Sequence, residues 1–192
     1  MELEKREVLN LVSFFHTVCN LKRVKRSGWI FKSKIESPES IADHSYSMCV
    51  MAMVLAEILN LDTEYIMKMV NLHDVAESLV GDFMPDRISV ERKQKREDEA
   101  MKKIISKLPR QLRKDYLHIW NDYNDNITVN ARFVHNLDKL EMALQAKEYE
   151  SDGYSKESLQ IFLKSATDYI SNGSFQLVNE ILQTINDDSN RI

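Results

Sequence analysis

The chain is short of chain-breakers. Its 192 residues include four glycines and three prolines. Few tight turns can be built from so few, so helices are expected to dominate. Cysteines number two, Cys19 and Cys49. Both stand among apolar residues at helical spacing and are expected to be buried thiols of a reducing compartment. A disulfide framework and a cysteine-built zinc site are thereby excluded. No apolar run is long: Met48 to Ala56 is too short to span a bilayer. The start, Met1-Glu2-Leu3-Glu4-Lys5, has no apolar core of a signal peptide. Nor is there a surplus of one charge. The 26 basic and 30 acidic residues leave a formal net charge of −4, which points neither to a nucleic acid polymer nor to a membrane. A cytoplasmic protein is expected. At 43% hydrophobic residues the chain can bury a sizeable core, and its length suits one domain over 1–192.

The apolar periodicity sets out an all-α bundle. Residues 4–22 place Val8, Leu11, Val12, Phe15, Val18 and Cys19 on one stripe of an amphipathic helix, with His16 beside it. Lys22-Arg23-Val24-Lys25-Arg26-Ser27-Gly28-Trp29 follows. It reads either as a helix end, with cations at the dipole and glycine as the stop, or as a substrate loop. In the second reading Arg26 meets a phosphate and Trp29 a base or sugar. Ser37-Pro38 is expected to cap a helix running to about Leu59, apolar on nearly all sides and therefore central. Asp62 caps the next, through about Val80, with Gly81 as its stop. Asp82-Phe83-Met84-Pro85 forms a loop. Ser89 to Lys107 is a charged helix whose segment Glu91 to Glu99 is expected to be a solvated face. Pro109 opens a helix to about Tyr123, with Leu112, Tyr116, Ile119 and Trp120 inward and His118 exposed. Thr128 opens a longer one, ended by Gly153. Its apolar stripe is Phe133, Leu137, Leu140 and Leu144, and its polar stripe is Asp138, Glu141, Gln145 and Glu148. Two C-terminal helices, about 156–171 and 175–186, carry Leu159, Phe162 and Leu163, then Leu177, Ile181 and Ile185, toward the bundle or a dimer partner.

The chemistry centres on Asn71-Leu72-His73-Asp74-Val75-Ala76-Glu77. Helical neighbours point about 100° apart, so His73 and Asp74 can lean toward one point, with Glu77 on the same face. An imidazole beside a carboxylate suits a metal that accepts nitrogen and oxygen together. Two ligands do not hold a catalytic metal. His44, in Ala42-Asp43-His44-Ser45, and Asp138, in Asn136-Leu137-Asp138-Lys139, would complete two imidazoles and two carboxylates from three helices.

That ordered set resembles the HD-domain metallophosphohydrolases, whose pattern is His, His-Asp, Asp. Pro38 to His44, His73 to Glu77, Val80-Gly81-Asp82, and Asp138-Lys139 with Glu141-Met142 and Gln145-Ala146 are similar to the 5′-deoxynucleotidase branch, from about Leu21 to Glu150. The resemblance implies metal ligands His44, His73, Asp74 and Asp138, with Glu77 the general acid/base and not a ligand. It implies nucleotide contacts by Arg26 and Trp29, adjacent in bacterial members but separated here by Ser27 and Gly28. It also implies a bond from Asp82 to the sugar 3′-hydroxyl; read from the residues alone, Asp82 is equally a turn residue. A homodimer is implied too. Some two-metal relatives recruit histidines such as His135; one divalent ion (Co²⁺, Mn²⁺ or Mg²⁺) per site is expected here.

The expected function is metal-dependent hydrolysis of deoxyribonucleoside 5′-monophosphates to nucleoside and phosphate. Two alternatives stand beside it. One is an HD phosphohydrolase for a triphosphate, an alarmone or a cyclic nucleotide, disfavoured by the lack of a long basic stretch. The other is a non-catalytic nucleotide sensor in which the metal is a staple.

Overall fold

The structure is a computed structural model that describes residues 4–83 and 88–187. Its helices are α1 (Lys5–Cys19), α2 (Ser27–Ser33), α3 (Ile41–Ile58), α4 (Thr63–Leu72), α5 (Glu77–Val80), α6 (Val90–Ile105), α7 (Arg110–Asp125), α8 (Val129–Ser151), α9 (Lys156–Ile170) and α10 (Gln176–Asn186), with a 3₁₀ turn at Asn20–Arg23. Among the described residues the β pairing is a single antiparallel bridge, Lys25 to Ser40. The fold class is all-α, as the periodicity predicts.

The caps explain most helix starts. Asp62, Ser89, Thr128 and Ser155 each accept a backbone N–H from the first turn, satisfying donors that a helix start leaves unpaired. For α3 the cap is Ser40 rather than Ser37. Ser40 and Asp43 form a reciprocal capping box, and Ser40 itself is extended and paired with Lys25. Left-handed Asn126 and Gly153 follow α7 and α8.

The core is one cluster running from Leu21 to Leu182. α8 lies at its centre, packed by α3, α4, α7, α9 and α10. Phe133, Leu137 and Leu140 are fully buried there, and truncating either leucine to alanine would cost about 2–5 kcal/mol. The C-terminal positions Leu159, Phe162, Leu163, Val178 and Leu182 are buried against this bundle.

Several sequence expectations are corrected. The α1 stripe is largely open: Val8, Val12, Phe15 and Cys19 are exposed, because α1 packs through the neighbouring face that carries Phe14, Thr17 and Val18. Cys19 is therefore not a buried thiol, and Cys49 is only half-buried. α3 is long and apolar enough by composition to cross a membrane. It packs on α4 and α8 through one side, while Tyr46, Val50, Met53, Val54 and Ile58 face outward; it is not enclosed all round. Leu112 and Leu144 are exposed rather than inward. Gly28-Trp29 lies within α2 and is not a helix stop. Met84 and Pro85 of the expected loop fall outside the described residues.

Candidate metal centre and nucleotide cavity

The central dipeptide does not lie inside a continuous helix. α4 ends at Leu72, and α5 begins at Glu77. His73 Nδ1 is 2.7 Å from the Val70 carbonyl oxygen, so its N–H takes the acceptor that the Asp74 amide would use in an unbroken ladder. The backbone then tightens to three-residue bonds, Val75 to Leu72, Glu77 to Asp74 and Ser78 to Val75. The same bond fixes the tautomer and leaves the His73 Nε2 lone pair free.

His44 is oriented in the same way from the first turn of α3. Its Nδ1 lies 2.5 Å from Glu141 Oε2 on α8. Arg26 Nη1 also lies 2.7 Å from Nδ1, but its two hydrogens are directed to Glu39 and Glu141; a carboxylate can only accept, so Nδ1 carries the hydrogen toward Glu141. The two Nε2 atoms are buried and make no hydrogen bond. His73 Nε2 is 3.1 Å from Asp74 Oδ2, and His44 Nε2 is 3.9 Å from that atom and 3.3 Å from Asp138 Oδ1. The structure thus groups His44, His73 and Asp74 where they could hold one ion, with Asp138 reaching that group through His44. Two orphaned buried nitrogens aimed at two carboxylates fit a divalent cation.

The electrostatics agree. Burial works most strongly against charge on His44, and Arg26 works the same way. The nearby Asp138 and Glu141 carboxylates prevail and raise its pKa to about 9. Burial also opposes charge on Asp74 and Asp138. The histidines hold Asp74 below the usual carboxylate range, while Lys139, His44 and Arg26 hold Asp138 well below it. A positive charge, proton or metal, is what this point favours.

Arg26 stands behind the centre. Its Nη1 is 3.2 Å from both Glu39 Oε1 and Glu141 Oε2, and its Nη2 is 3.5 Å from Asp138 Oδ1. Glu39, His44 and Glu141 also have ligand-like spacing, but the guanidinium fills that cluster. Lys139 holds Asp138 Oδ2 at 2.8 Å.

The centre floors a cavity of about 420 Å³ lined by Arg26, Trp29, Asp74, Glu77, Asp82 and Asp138 among others. That is within the range of small-ligand sites. Trp29 is 1% exposed. It packs on Phe162 with centroids 4.0 Å apart and donates Nε1–H to Glu39 at 2.9 Å, so it stiffens the wall rather than presenting an open face. Asp82 Oδ2 accepts both the backbone N–H (2.7 Å) and the hydroxyl (3.0 Å) of Ser27, the first residue of α2. Glu77 is buried, and burial, then Asp74 and Asp82, push its carboxyl well above the usual range. His135 is not brought into a ligand group among the described residues: its Nε2 lies 2.9 Å from the Tyr123 carbonyl oxygen and its ring stacks on Tyr123.

Other lining residues escaped the sequence reading. α9 supplies Ile161, Phe162 and Ser165, so a C-terminal helix walls the cavity. Lys93 and Glu97, expected on a solvated face, are half-buried beside Glu77. A signal existed, since positions 93, 97, 101 and 104 continue one stripe into buried Met101 and Ile104.

Against known proteins, residues 18–178 match the model of a family described as HD domain. The chain is 40% identical over 174 residues to 5′-deoxynucleotidase HDDC2 of Homo sapiens, covering 90% of this chain and 84% of that protein. It is 33% identical over 177 residues to 5′-deoxynucleotidase YGK1 of Saccharomyces cerevisiae, covering 85% and 81%. Among solved structures, PH0347 protein from Pyrococcus horikoshii OT3 superimposes with a TM-score of 0.78 at 29% identity over 91% of this chain and 97% of that one. Its two imidazoles, its two carboxylates and these likenesses together make the chain a member of the HD domain family.

Proposed function

We propose that the chain is a metal-dependent 5′-deoxynucleotidase, converting deoxyribonucleoside 5′-monophosphates and water to deoxynucleosides and phosphate. The observation that carries this is the pair of buried, unpartnered Nε2 atoms converging on Asp74 and Asp138 at the floor of a nucleotide-sized cavity. The names of the HDDC2 and YGK1 relatives support the same activity.

His44, His73, Asp74 and Asp138 would hold one divalent ion, Co²⁺, Mn²⁺ or Mg²⁺. Such an ion lowers the pKa of a bound water from about 15.7 toward ~7 and polarises a phosphoryl oxygen. In the hydrolysis an oxygen–phosphorus bond forms from water and the phosphorus–O5′ bond breaks. Glu77 moves the proton. Its carboxyl is buried and holds a proton readily, so it donates that proton to the departing O5′, and the proton that the attacking water loses restores the Glu77 carboxyl. Arg26 has Nη1 committed to Glu39 and Glu141 and Nη2 3.5 Å from Asp138, and lends its charge to the phosphate from that position. The nucleoside lies along the wall of Trp29, Phe162 and Met142. Asp82 uses the oxygen not bonded to Ser27 to accept the sugar 3′-hydroxyl.

The partner is a small nucleotide, not a polymer or membrane. The chain acts as one cytoplasmic domain and as a homodimer. The C-terminal apolar positions are spent on the bundle, so the open apolar faces of α1 and α3 are the surfaces for a second copy. Sedimentation at low and high protein concentration tests this, with a monomer throughout as the contrary result.

Activity is tested by a screen of divalent metals against nucleotides with phosphate detection. Release from deoxynucleoside monophosphates, abolished by chelator, is expected. Preferential turnover of triphosphates, alarmones or cyclic nucleotides would replace this reading with another phosphohydrolase, and monophosphate binding without turnover would indicate a sensor.

A further inference from the structure

Lys93 projects from α6 toward the cavity that Arg26, Asp74, Glu77 and Asp82 also line. Its Nζ is 3.7 Å from Glu77 Oε1 and 3.4 Å from Glu97 Oε1. The two oxygens of Glu77 are therefore unlike. Oε1 faces a cation, whereas Oε2 is buried and makes no hydrogen bond. The terminal torsion of a glutamate is broad and nearly two-fold, so an unrestrained carboxyl would exchange them. Glu97 lies one turn beyond Lys93 on α6 and restrains the ammonium from behind. Ala100, Met101 and Ile104, buried further along, anchor the helix itself.

We propose that Lys93, steadied by Glu97, is a positioning residue that holds the Glu77 carboxyl through Oε1 in the one orientation that proton transfer to the reacting phosphoester needs. This rests on the reading of Glu77 as the proton-transfer group. It assigns the charged half of α6 a part in turnover.

The experiment measures kcat and KM for deoxyadenosine 5′-monophosphate at saturating Mn²⁺ in the wild type, Lys93→Met, Lys93→Arg, Glu77→Gln and the Lys93→Met/Glu77→Gln double variant. Circular dichroism and elemental analysis follow fold and metal content. Lys93→Met is expected to keep fold, metal and KM and to lose about 10- to 100-fold in kcat, as a misplaced catalytic group does. Lys93→Arg is expected to restore most of that loss. The double variant is expected to be no slower than Glu77→Gln. A raised KM with kcat kept, or a further loss in the double variant, would mean that Lys93 acts on the phosphate itself and would overturn the proposal. Wild-type kcat in Lys93→Met beside an inactive Glu77→Gln would remove Lys93 alone, whereas a fully active Glu77→Gln would remove the reading of Glu77 as well. Should Lys93→Met not fold, Glu97→Gln carries the test: a several-fold fall in kcat at constant KM supports the proposal, and an unchanged kcat overturns it.

Discussion

Glu141 on α8 grips His44 on α3, with Oε2 2.5 Å from Nδ1. The contact joins residues 97 positions apart and turns Nε2 toward Asp74 and Asp138, the candidate metal centre. Carboxylates in this position typically contribute 10- to 100-fold to metal affinity. Glu141→Ala is therefore expected to weaken Mn²⁺ or Co²⁺ binding by about that factor. Glu141→Gln keeps a carbonyl acceptor for Nδ1–H and is expected to lose less. Calorimetric titration of chelator-stripped protein measures both, and unchanged affinity in Glu141→Ala would mean that His44 is oriented by other contacts.

Arg26 neutralises a buried acidic group rather than standing open to solvent. Replacing it with methionine keeps bulk but leaves Glu39, Glu141 and Asp138 facing one another. Removing one partner of a buried ion pair costs about 3–5 kcal/mol, so Arg26→Met is expected to lower stability by about that amount in urea unfolding with chelator present. A loss below about 1 kcal/mol, the range of exposed pairs, would contradict the network drawn here.

The candidate ligands were legible because order and local context mark them out: His44, His73-Asp74 and Asp138 each stand in a recognisable surround, although His73-Asp74 falls in the turn between α4 and α5. What was not legible is where the backbone departs from a regular period. The break after Leu72 arises from a side-chain bond, His73 to Val70, that periodicity cannot register. α2 is a short helix of seven residues, too brief to show a stripe. The partners of Arg26 lie on other elements, so its neighbourhood follows from packing and not from its own segment. The exposed faces of α1 and α3 misled in the opposite direction, since apolar stripes read as core whether or not the chain itself covers them.

Glu77 ties stability to pH with a definite sign. Burial, followed by Asp74 and Asp82, raises its pKa in the folded protein well above the ordinary glutamate value. The native state then binds more protons than the unfolded chain over the interval between the two values, and stability falls as pH rises through it. Below the unfolded value the group is protonated in both states and the penalty vanishes. Glu77→Gln cannot ionise. In chelator, it is expected to melt above the wild type at alkaline pH, with the difference shrinking toward pH ~4, near the ordinary glutamate value. Scanning calorimetry across pH reads this directly, and a difference independent of pH would show that Glu77 is not the group responsible.

Asp82 has two tasks that can be separated by one atom's chemistry. Its Oδ2 accepts two bonds from Ser27 and so fixes the start of α2, which carries Trp29 into the cavity wall. Its second oxygen is the one assigned to the sugar. Hydrogen bonds to a charged group contribute about 1.5–3 kcal/mol each way of counting, so Asp82→Ala is expected to lower stability by about that much and to raise KM. Asp82→Asn can present its amide oxygen to Ser27 while offering an NH₂ group where the carboxylate accepted the 3′-hydroxyl. Stability is expected to return in Asp82→Asn while KM stays high, measured by urea unfolding and by steady-state kinetics on a deoxynucleoside monophosphate. If both return together, Asp82 serves the scaffold alone, and the sugar is read by another group on the cavity wall.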